Sequence, residues 1–155
     1  MAPIDVAIVG AGPVGATLAA LAAREGLTLE LFEARPGPSS DGRTLALSHA
    51  SRERLEEAQA WPAQAATPIT SIHVSQRGGP GRTLIEARDQ GLSALGYTVA
   101  YAALEARLAA RLGDARIPVH YGESCAAIGC SACAALPMIA VRRAARSSPP
   151  TARRR

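Results

Sequence analysis

Three glycines near the N-terminus stand at a spacing that can bind a diphosphate. Gly10, Gly12 and Gly15 follow a largely apolar run, residues 4–9, and precede an alanine- and leucine-rich segment. Gly10 allows a sharp turn, Gly12 lets backbone N–H groups approach a pyrophosphate, and Gly15 lets the next helix pack closely on the strand. The pyrophosphate would lie at the positive end of that helix, where unpaired N–H groups favour an anion.

A carboxylate closes the second strand of the same unit. Gly26 is expected to cap the helix at its C-terminus, and an apolar stretch then runs from residue 28 to Glu33. Glu33 stands 18 positions after Gly15, close to the roughly twenty-residue offset of an acid that accepts ribose hydroxyls. Because a carboxylate there would repel a 2′-phosphate, FAD or NAD is favoured over NADP.

The elements that must position these residues form a strand–helix–strand unit. The run before Gly10 is typical of a buried parallel strand. The predicted helix places four residues at helical spacing or near the crossing with the strand: Leu18, Ala19, Leu21 and Ala22. A glycine-rich turn that binds nothing is the alternative, but the coincidence of strand, turn, helix, cap and acid favours a dinucleotide site in an α/β fold.

Length and charge restrict the remaining choices. The 155 residues suffice for one domain with a core and are few for two. Residues 1–123 carry 11 Arg and 13 acids, whereas residues 124–155 carry 6 Arg and no acid, so the net charge of +4 gives the folded part no nucleic-acid signature. No apolar run is long enough to cross a bilayer and no leader precedes the first strand, which predicts a cytoplasmic protein.

Downstream patterns add further elements to this unit. In chain order we expect an extended piece at 43–47, a helix at 48–60, a hairpin of strands at 69–74 and 83–86, an extended piece at 97–99, a helix at 101–112 and a strand at 117–121. Residues 129–155 have no acids, no clear period and many Arg and Pro residues, so disorder is expected there.

The histidines and cysteines offer one weak metal candidate. A zinc quartet could be drawn from four residues: His120, Cys125, Cys130 and Cys133. Their spacing lacks the usual paired knuckles, and no acid follows Glu123 to support the ligands. A redox pair of the last two cysteines would need a helix N-terminus, which the pattern does not provide. We therefore predict no metal site.

Several longer strings resemble the flavin hydroxylases of ubiquinone biosynthesis. They are DVAIVGAGPVG at 5–15, EARP at 33–36, GRTLALSH at 42–49, TPITSIHVS at 67–75 and ALGY at 94–97. The glycine motif alone also fits other flavin and NAD enzymes, whereas residues 42–48 and the string IHVS are more specific. The resemblance spans about residues 4–128 and is to the opening part of these FAD-dependent aromatic monooxygenases.

The resemblance implies roles around the cofactor. Cofactor contacts are expected from nine residues: Gly10, Gly12, Pro13, Val14, Gly15, Glu33, Ala34, Arg35 and Arg43. In such enzymes the glycine turn binds the FAD pyrophosphate, and the acid that ends the second strand binds the adenosine ribose. Arg43 is expected near the flavin, with a solvated loop arginine as the alternative. Arg35 either stands beside the adenine or has no such role.

The implied reaction is insertion of one oxygen atom into a polyprenylated phenol. FAD would be the cofactor, NAD(P)H its reductant, and a small aromatic molecule and O2 the substrates. That chemistry belongs to the cofactor, so we assign no catalytic acid, base or nucleophile. A prenylated substrate would bring the intact enzyme to a membrane surface or into a biosynthetic complex. No nucleic-acid partner is expected.

Departures from the family pattern qualify this expectation. Residues 100–103 offer only the Tyr101 hydroxyl where a polar or basic residue usually reaches the cofactor, and the later Asp-Gly and Gly-Asp motifs are absent. We expect a Rossmann-like parallel sheet with an inserted β-hairpin. We expect the chain to be truncated before the rest of the enzyme, with a tail whose composition would fit translation in a shifted reading frame. Such a chain alone would bind FAD weakly or not at all.

The expected domains follow from this comparison. Residues 1–128 would form a partial FAD-binding domain, in which 67–96 belong to the substrate-side hairpin, and residues 129–155 would be a tail. Two other functions stay open: the nucleotide-binding domain of an NAD-dependent dehydrogenase and a non-catalytic fragment.

Overall fold

The computed structural model describes residues 4–38, 41–76, 78–79, 81–130 and 139–143. Its helices are α1 (Pro13–Arg24), α2 (His49–Glu57) and α3 (Tyr101–Asp114). Its strands are β1 (Val6–Val9), β2 (Leu29–Glu33), β3 (Thr44–Ser48), β4 (Ala66–Ile69), β5 (Ser71–Ser75), β6 (Arg82–Glu86), β7 (Gly96–Ala100), β8 (Val119–Tyr121), β9 (Cys125–Cys130) and β10 (Ile139–Arg143). In this part of the chain, no helix is both long and apolar enough to span a membrane.

A parallel sheet in the order β1-β2-β8 confirms the predicted α/β class. Helix α1 connects β1 to β2, and these parallel strands pair so that Val9 lies beside Phe32. Strand β2 pairs on its other side with β8, where Glu33 lies beside Tyr121. Helix α3 packs against α1. The core between these elements includes Leu31, Leu104 and Leu108, which are almost completely buried. The carboxyl ends of the three strands therefore meet at one edge, next to the N-terminus of α1.

The packing face of α1 consists of alanines. Ala16, Ala19 and Ala20 are buried, as expected for Ala19, whereas Leu18 is 53% exposed. A Cβ atom on Gly15 would lie 2.0 Å from the carbonyl oxygen of Gly10, so the helix lies almost on the strand. Leu18, although at helical spacing, therefore lies off the face that packs on the strand, where alanines are buried.

A second, antiparallel sheet has the order β3-β7-β4, and β5 pairs with β6 as a separate ribbon. The ribbon confirms the predicted hairpin, with Ile72 opposite Ile85. Ile69 lies in β4 and pairs with Gly96 of β7, so the strand that we predicted across 69–74 is in fact two strands. Strand β4 forms hydrogen bonds with β7, whereas β5 forms them with β6, and this difference in partner separates the two strands.

Several element boundaries differ from the sequence-based expectations. Helix α2 ends at Glu57, three residues before the predicted end, because Gln59 adopts a positive φ of 59°. Helix α3 continues past Gly113 to Asp114. Strand β8 begins only at Val119, although Ile117 is buried as expected.

Two pieces of the segment 129–155 fall within the described residues. Residues 129–130 belong to β9 and 139–143 form β10, and these strands pair antiparallel, with Ile128 opposite Val141. This pairing differs from the disorder expected there, since a backbone ladder needs no side-chain period. Residues 131–138 and 144–155 lie outside the described residues. The division into domains stays a prediction.

We expect Gly15→Ala to destabilise the fold by about 1–3 kcal/mol, because the new methyl group would meet the rigid Gly10 carbonyl. Urea unfolding of the full chain measures this change. Gly113→Ala is the matched control: no heavy atom lies within 4 Å of its built Cβ, and the position is helical. This control should leave stability unchanged or raise it by about 0.5–1 kcal/mol. Equal losses of unfolding free energy in Gly15→Ala and Gly113→Ala would contradict the close approach of α1 to the end of β1.

Candidate nucleotide-binding site

The glycine turn has the backbone geometry that its sequence predicts. Gly10 adopts a φ of +98°, which an L side chain rarely tolerates, and its N–H donates to the Phe32 carbonyl at 2.8 Å. Gly12 is the extended N-cap residue of α1, and Pro13 begins the helix. Because proline has no N–H, the first-turn donors without an intrahelical partner include those of Val14 and Gly15. The turn thus presents backbone N–H groups at the positive end of the helix.

Glu33 links the end of β2 to this turn. Its Oε2 accepts a hydrogen bond from the Ala11 N–H at 2.9 Å, and the residue is only 7% exposed. The acid predicted to bind a ribose therefore lies directly beside the turn predicted to bind a diphosphate. Ala34, the next residue, is exposed.

Arg35 encloses the same carboxylate. Its backbone N–H and Nε donate to Oε1 of Glu33 at 3.0 and 3.1 Å, and its Nη2 donates to Oε2 at 3.2 Å. Its Nη1 donates to Oε1 of Glu105 at 3.1 Å, and the Arg35 side chain is 35% exposed. One guanidinium therefore contacts two carboxylates, one from β2 and one from α3.

Sequence reasoning missed Glu105. This residue is buried on α3, next to the core residue Leu104 and three positions before Leu108. An acid beside the apolar face of an amphipathic helix was a signal for a buried partner, since carboxylates are almost never buried unpaired. Its partner could not be read from spacing, because Arg35 lies 70 positions earlier.

The hydrogen bond from the Arg35 side chain is the main reason that the pKa of Glu33 falls to about 2. Burial opposes this shift, and the N–H groups of Arg35 and Ala11 add to it. Glu33 in turn raises the pKa of Arg35. Glu33 is consequently an ionised acceptor at every physiological pH, which is the form that binds hydroxyl donors.

Arg43 lies in a different part of the fold, immediately before β3. Its side chain is 69% exposed, pairs with Asp41 at 2.6 Å and lies 5.3 Å from the Tyr101 ring centroid. The Arg43 carbonyl accepts the Tyr101 N–H at 2.8 Å, which places Arg43 beside the N-terminus of α3. Hydrogen bonding to Arg43 lowers the pKa of Asp41. The expected approach of Arg43 to a flavin stays a prediction.

The structure gives His120 a partner that the sequence did not suggest. Its Nε2 lies 3.0 Å from Oε2 of Glu30, and its ring stacks on Phe32 with centroids 4.9 Å apart. Within the described residues, no group of three or more His, Cys, Asp or Glu side chains could hold a metal ion. Cys133, a member of the quartet considered above, lies outside those residues.

Known proteins have sequences similar to parts of this chain. The family described as NAD(P)-binding Rossmann-like domain matches residues 8–64. A curated relative, the ubiquinone hydroxylase UbiM of Neisseria meningitidis serogroup C / serotype 2a, is 34% identical over an alignment of 109 residues. The match covers 61% of this chain and 23% of the relative. The chain resembles the N-terminal part of a flavin-dependent hydroxylase. The predicted resemblance is thereby confirmed over that part alone.

Solved structures support the same fold. The p-nitrophenol 4-monooxygenase PnpA from Pseudomonas putida DLL-E4 matches with a TM-score of 0.67 and 16% identity, over 81% of this chain and 33% of that chain. The flavin-dependent monooxygenase PieE, solved with FAD and substrate, matches with a TM-score of 0.64 and 20% identity, over 83% and 26%. The Rossmann-like α/β fold is confirmed, and one of these structures with that fold, PieE, holds FAD.

Glu33→Gln should lower stability at neutral pH by at most about 3 kcal/mol, an upper limit set by the pKa shift from 4.5 to about 2. A carboxyl whose folded-state pKa is lowered stabilises the fold above its ordinary value and loses that contribution as the pH falls. The gap between wild type and variant should therefore narrow between pH 4.5 and about 2. Urea unfolding across this range tests it.

Glu53→Gln is the control for that experiment, because the Glu53 side chain is 60% exposed. Its pH profile should run parallel to that of the wild type. A gap for Glu33→Gln that stays constant with pH would contradict the ionised, arginine-bound state of Glu33.

Proposed function

We propose that this chain supplies the part of an FAD-dependent monooxygenase that binds the adenosine diphosphate half of the cofactor. The observation that carries the proposal is the 2.9 Å hydrogen bond from the Ala11 N–H to Glu33. It joins the glycine turn to the acid at the end of β2, so that one ligand could contact both. A ribose next to a diphosphate is the arrangement that adenine dinucleotides offer.

The turn would bind the diphosphate through the backbone. Among the described residues, no heavy atom lies within 4 Å of a Cβ built on Gly12, so an oxygen atom of a ligand could approach the main chain there. The N–H groups of Val14 and Gly15 would donate to it, and Pro13 would fix the start of the helix. Val14 is largely exposed, so its side chain would border the ligand.

Arg43 is proposed to contact a later part of the cofactor. It lies beside Tyr101, the first residue of α3. The Tyr101 hydroxyl is the polar group available where members of the family carry a polar or basic side chain. Ala34 and Arg35 would border the adenosine, since they follow Glu33 directly. The assignment of Arg43 rests on the family resemblance, and those of Ala34 and Arg35 rest on their positions directly after Glu33.

For the intact enzyme we propose hydroxylation of a polyprenylated phenol in ubiquinone biosynthesis. The support is the 34% identity to a ubiquinone hydroxylase, of which this chain spans 23%. FAD, when bound and reduced by NAD(P)H, supplies oxygen-insertion chemistry, while the residues described here bind and orient it. A prenylated substrate would favour association with a membrane surface. NAD(P)H- and O2-dependent hydroxylation of a prenylated phenol, compared with the same ring lacking the prenyl chain, tests the substrate.

Gly12→Ala is expected to weaken binding of FAD or ADP to the full chain by about tenfold or more, because a methyl group would occupy the space of the diphosphate. The same variant should lose at most about 1 kcal/mol of stability, since no protein atom opposes the methyl group and alanine is only a poorer N-cap. Calorimetric titration at millimolar ligand measures the affinity.

Gly113→Ala is again the control and should bind as the wild type does. If Gly12→Ala binds FAD or ADP with the same affinity as the wild type, this would contradict a diphosphate at this turn. The family description also names NAD(P), which makes a dehydrogenase domain the second candidate. Enhanced NADH fluorescence without flavin binding would favour that candidate. A folded chain that binds none of these nucleotides would contradict both.

A further inference from the structure

The carboxylate of Glu33 accepts four hydrogen bonds from the protein itself. Oε2 accepts from the Ala11 N–H and from Nη2 of Arg35, and Oε1 accepts from the N–H and Nε of Arg35. An ionised carboxylate offers about four acceptor sites, which these four donors fill. Two ribose hydroxyls cannot join this set unless donors leave.

Two of the four donors are fixed and two can move. The backbone N–H groups of Ala11 and Arg35 are held by the turn and by the chain that continues β2, whose Arg35 carbonyl accepts the Gly122 N–H at 2.8 Å. Nε and Nη2 belong to a side chain that is 35% exposed. Only the guanidinium can withdraw without disturbing the backbone.

Glu105 provides a second acceptor for that guanidinium. Its Oε1 already accepts from Nη1 of Arg35 at 3.1 Å, and its side chain is only 8% exposed. A guanidinium has five N–H donors in a rigid fork, so it can release one carboxylate while keeping the other. The charge of Arg35 would then remain paired after it leaves Glu33.

We propose that Arg35 is a displaceable arm: it occupies Glu33 in the absence of nucleotide, and Glu105 retains it when ribose hydroxyls take its place. The proposal rests on the function proposed above, in which Glu33 binds the adenosine ribose. Arg35 and Glu105 are thus positioning residues. They make the site selective for ligands with free ribose hydroxyls, which alone can replace the lost donors.

The two residues should then have opposite effects on binding. Arg35→Gln removes the charged guanidinium and its Nε and Nη2 donors, leaves only an uncharged amide on a shorter side chain, and keeps the backbone N–H, so ADP should bind about threefold to tenfold more tightly, the range of one net hydrogen bond. Glu105→Gln removes the charge that draws Arg35 away, so ADP should bind more weakly by a similar factor. Loss of a positive charge alone would weaken ADP binding, which separates displacement from general electrostatics.

Calorimetric titration of the full chain with ADP and with 2′-deoxy-ADP provides the test. The double variant of Arg35→Gln and Glu105→Gln should bind as Arg35→Gln does, because Glu105 acts only through Arg35. The gain from Arg35→Gln should be smaller with 2′-deoxy-ADP, which lacks one hydroxyl donor. Arg107→Gln, an equal charge change on the exposed side of α3, is the control and should leave the affinity unchanged. If Arg35→Gln does not fold, Arg35→Lys replaces it, and its single ammonium should also tighten binding.

Distinct outcomes would overturn this inference. If the wild type binds ADP, and Arg35→Gln or Arg35→Lys binds it more weakly or equally tightly, displacement is refuted. The proposed function would remain intact. Tighter binding by Glu105→Gln would likewise refute displacement alone. Absence of ADP binding in the wild type and in every folded variant would refute the proposed function together with this inference.

Discussion

The approach of α1 to the end of β1 is the constraint on which the rest of the structure depends. A Cβ on Gly15 would lie 2.0 Å from the Gly10 carbonyl oxygen, so the two elements can meet at this distance only through glycine. Close to this contact the residues of α1 that are buried are small, among them Ala16 and Ala19. The contact also fixes the N-terminus of the helix at the carboxyl edge of the sheet, where a diphosphate could reach it.

The same edge collects the charged groups. Glu33 ends β2 beside the turn, and its carbonyl accepts the Glu123 N–H at 3.0 Å, which joins it to the segment after β8. Arg35 then connects this edge to Glu105 of α3. Because the guanidinium offsets the burial of Glu33, the acid can stay ionised although the residue is only 7% exposed. The proposed nucleotide site and the position of α3 are therefore linked through the Arg35–Glu105 contact.

Sequence reasoning succeeded where a single residue has a single conformational reason. Gly10 adopts a positive φ, Gly26 follows the last helical residues with a φ of +81°, and Glu33 ends its strand. Helical periodicity did not indicate that Leu18 would be 53% exposed, since it gives the apolar positions of a helix and not how closely the helix lies on a sheet. The prediction failed between Ile69 and Ile72, where pairing of β4 with a strand far along the chain divides one apolar pattern into two strands.

The order of glycines, strand and acid by itself determined the strand–helix–strand unit and its glycine turn, because each of those positions needs a particular backbone freedom or charge. Only the tertiary structure decided what surrounds the acid. Arg35 lies two residues from Glu33 and could have pointed into solvent, and Glu105 lies on a helix 70 positions beyond Arg35. Hydrogen bonds among side chains depend on distances of a few ångströms, which are set by how the fold places α3 relative to β2 and leave no periodic trace in the sequence.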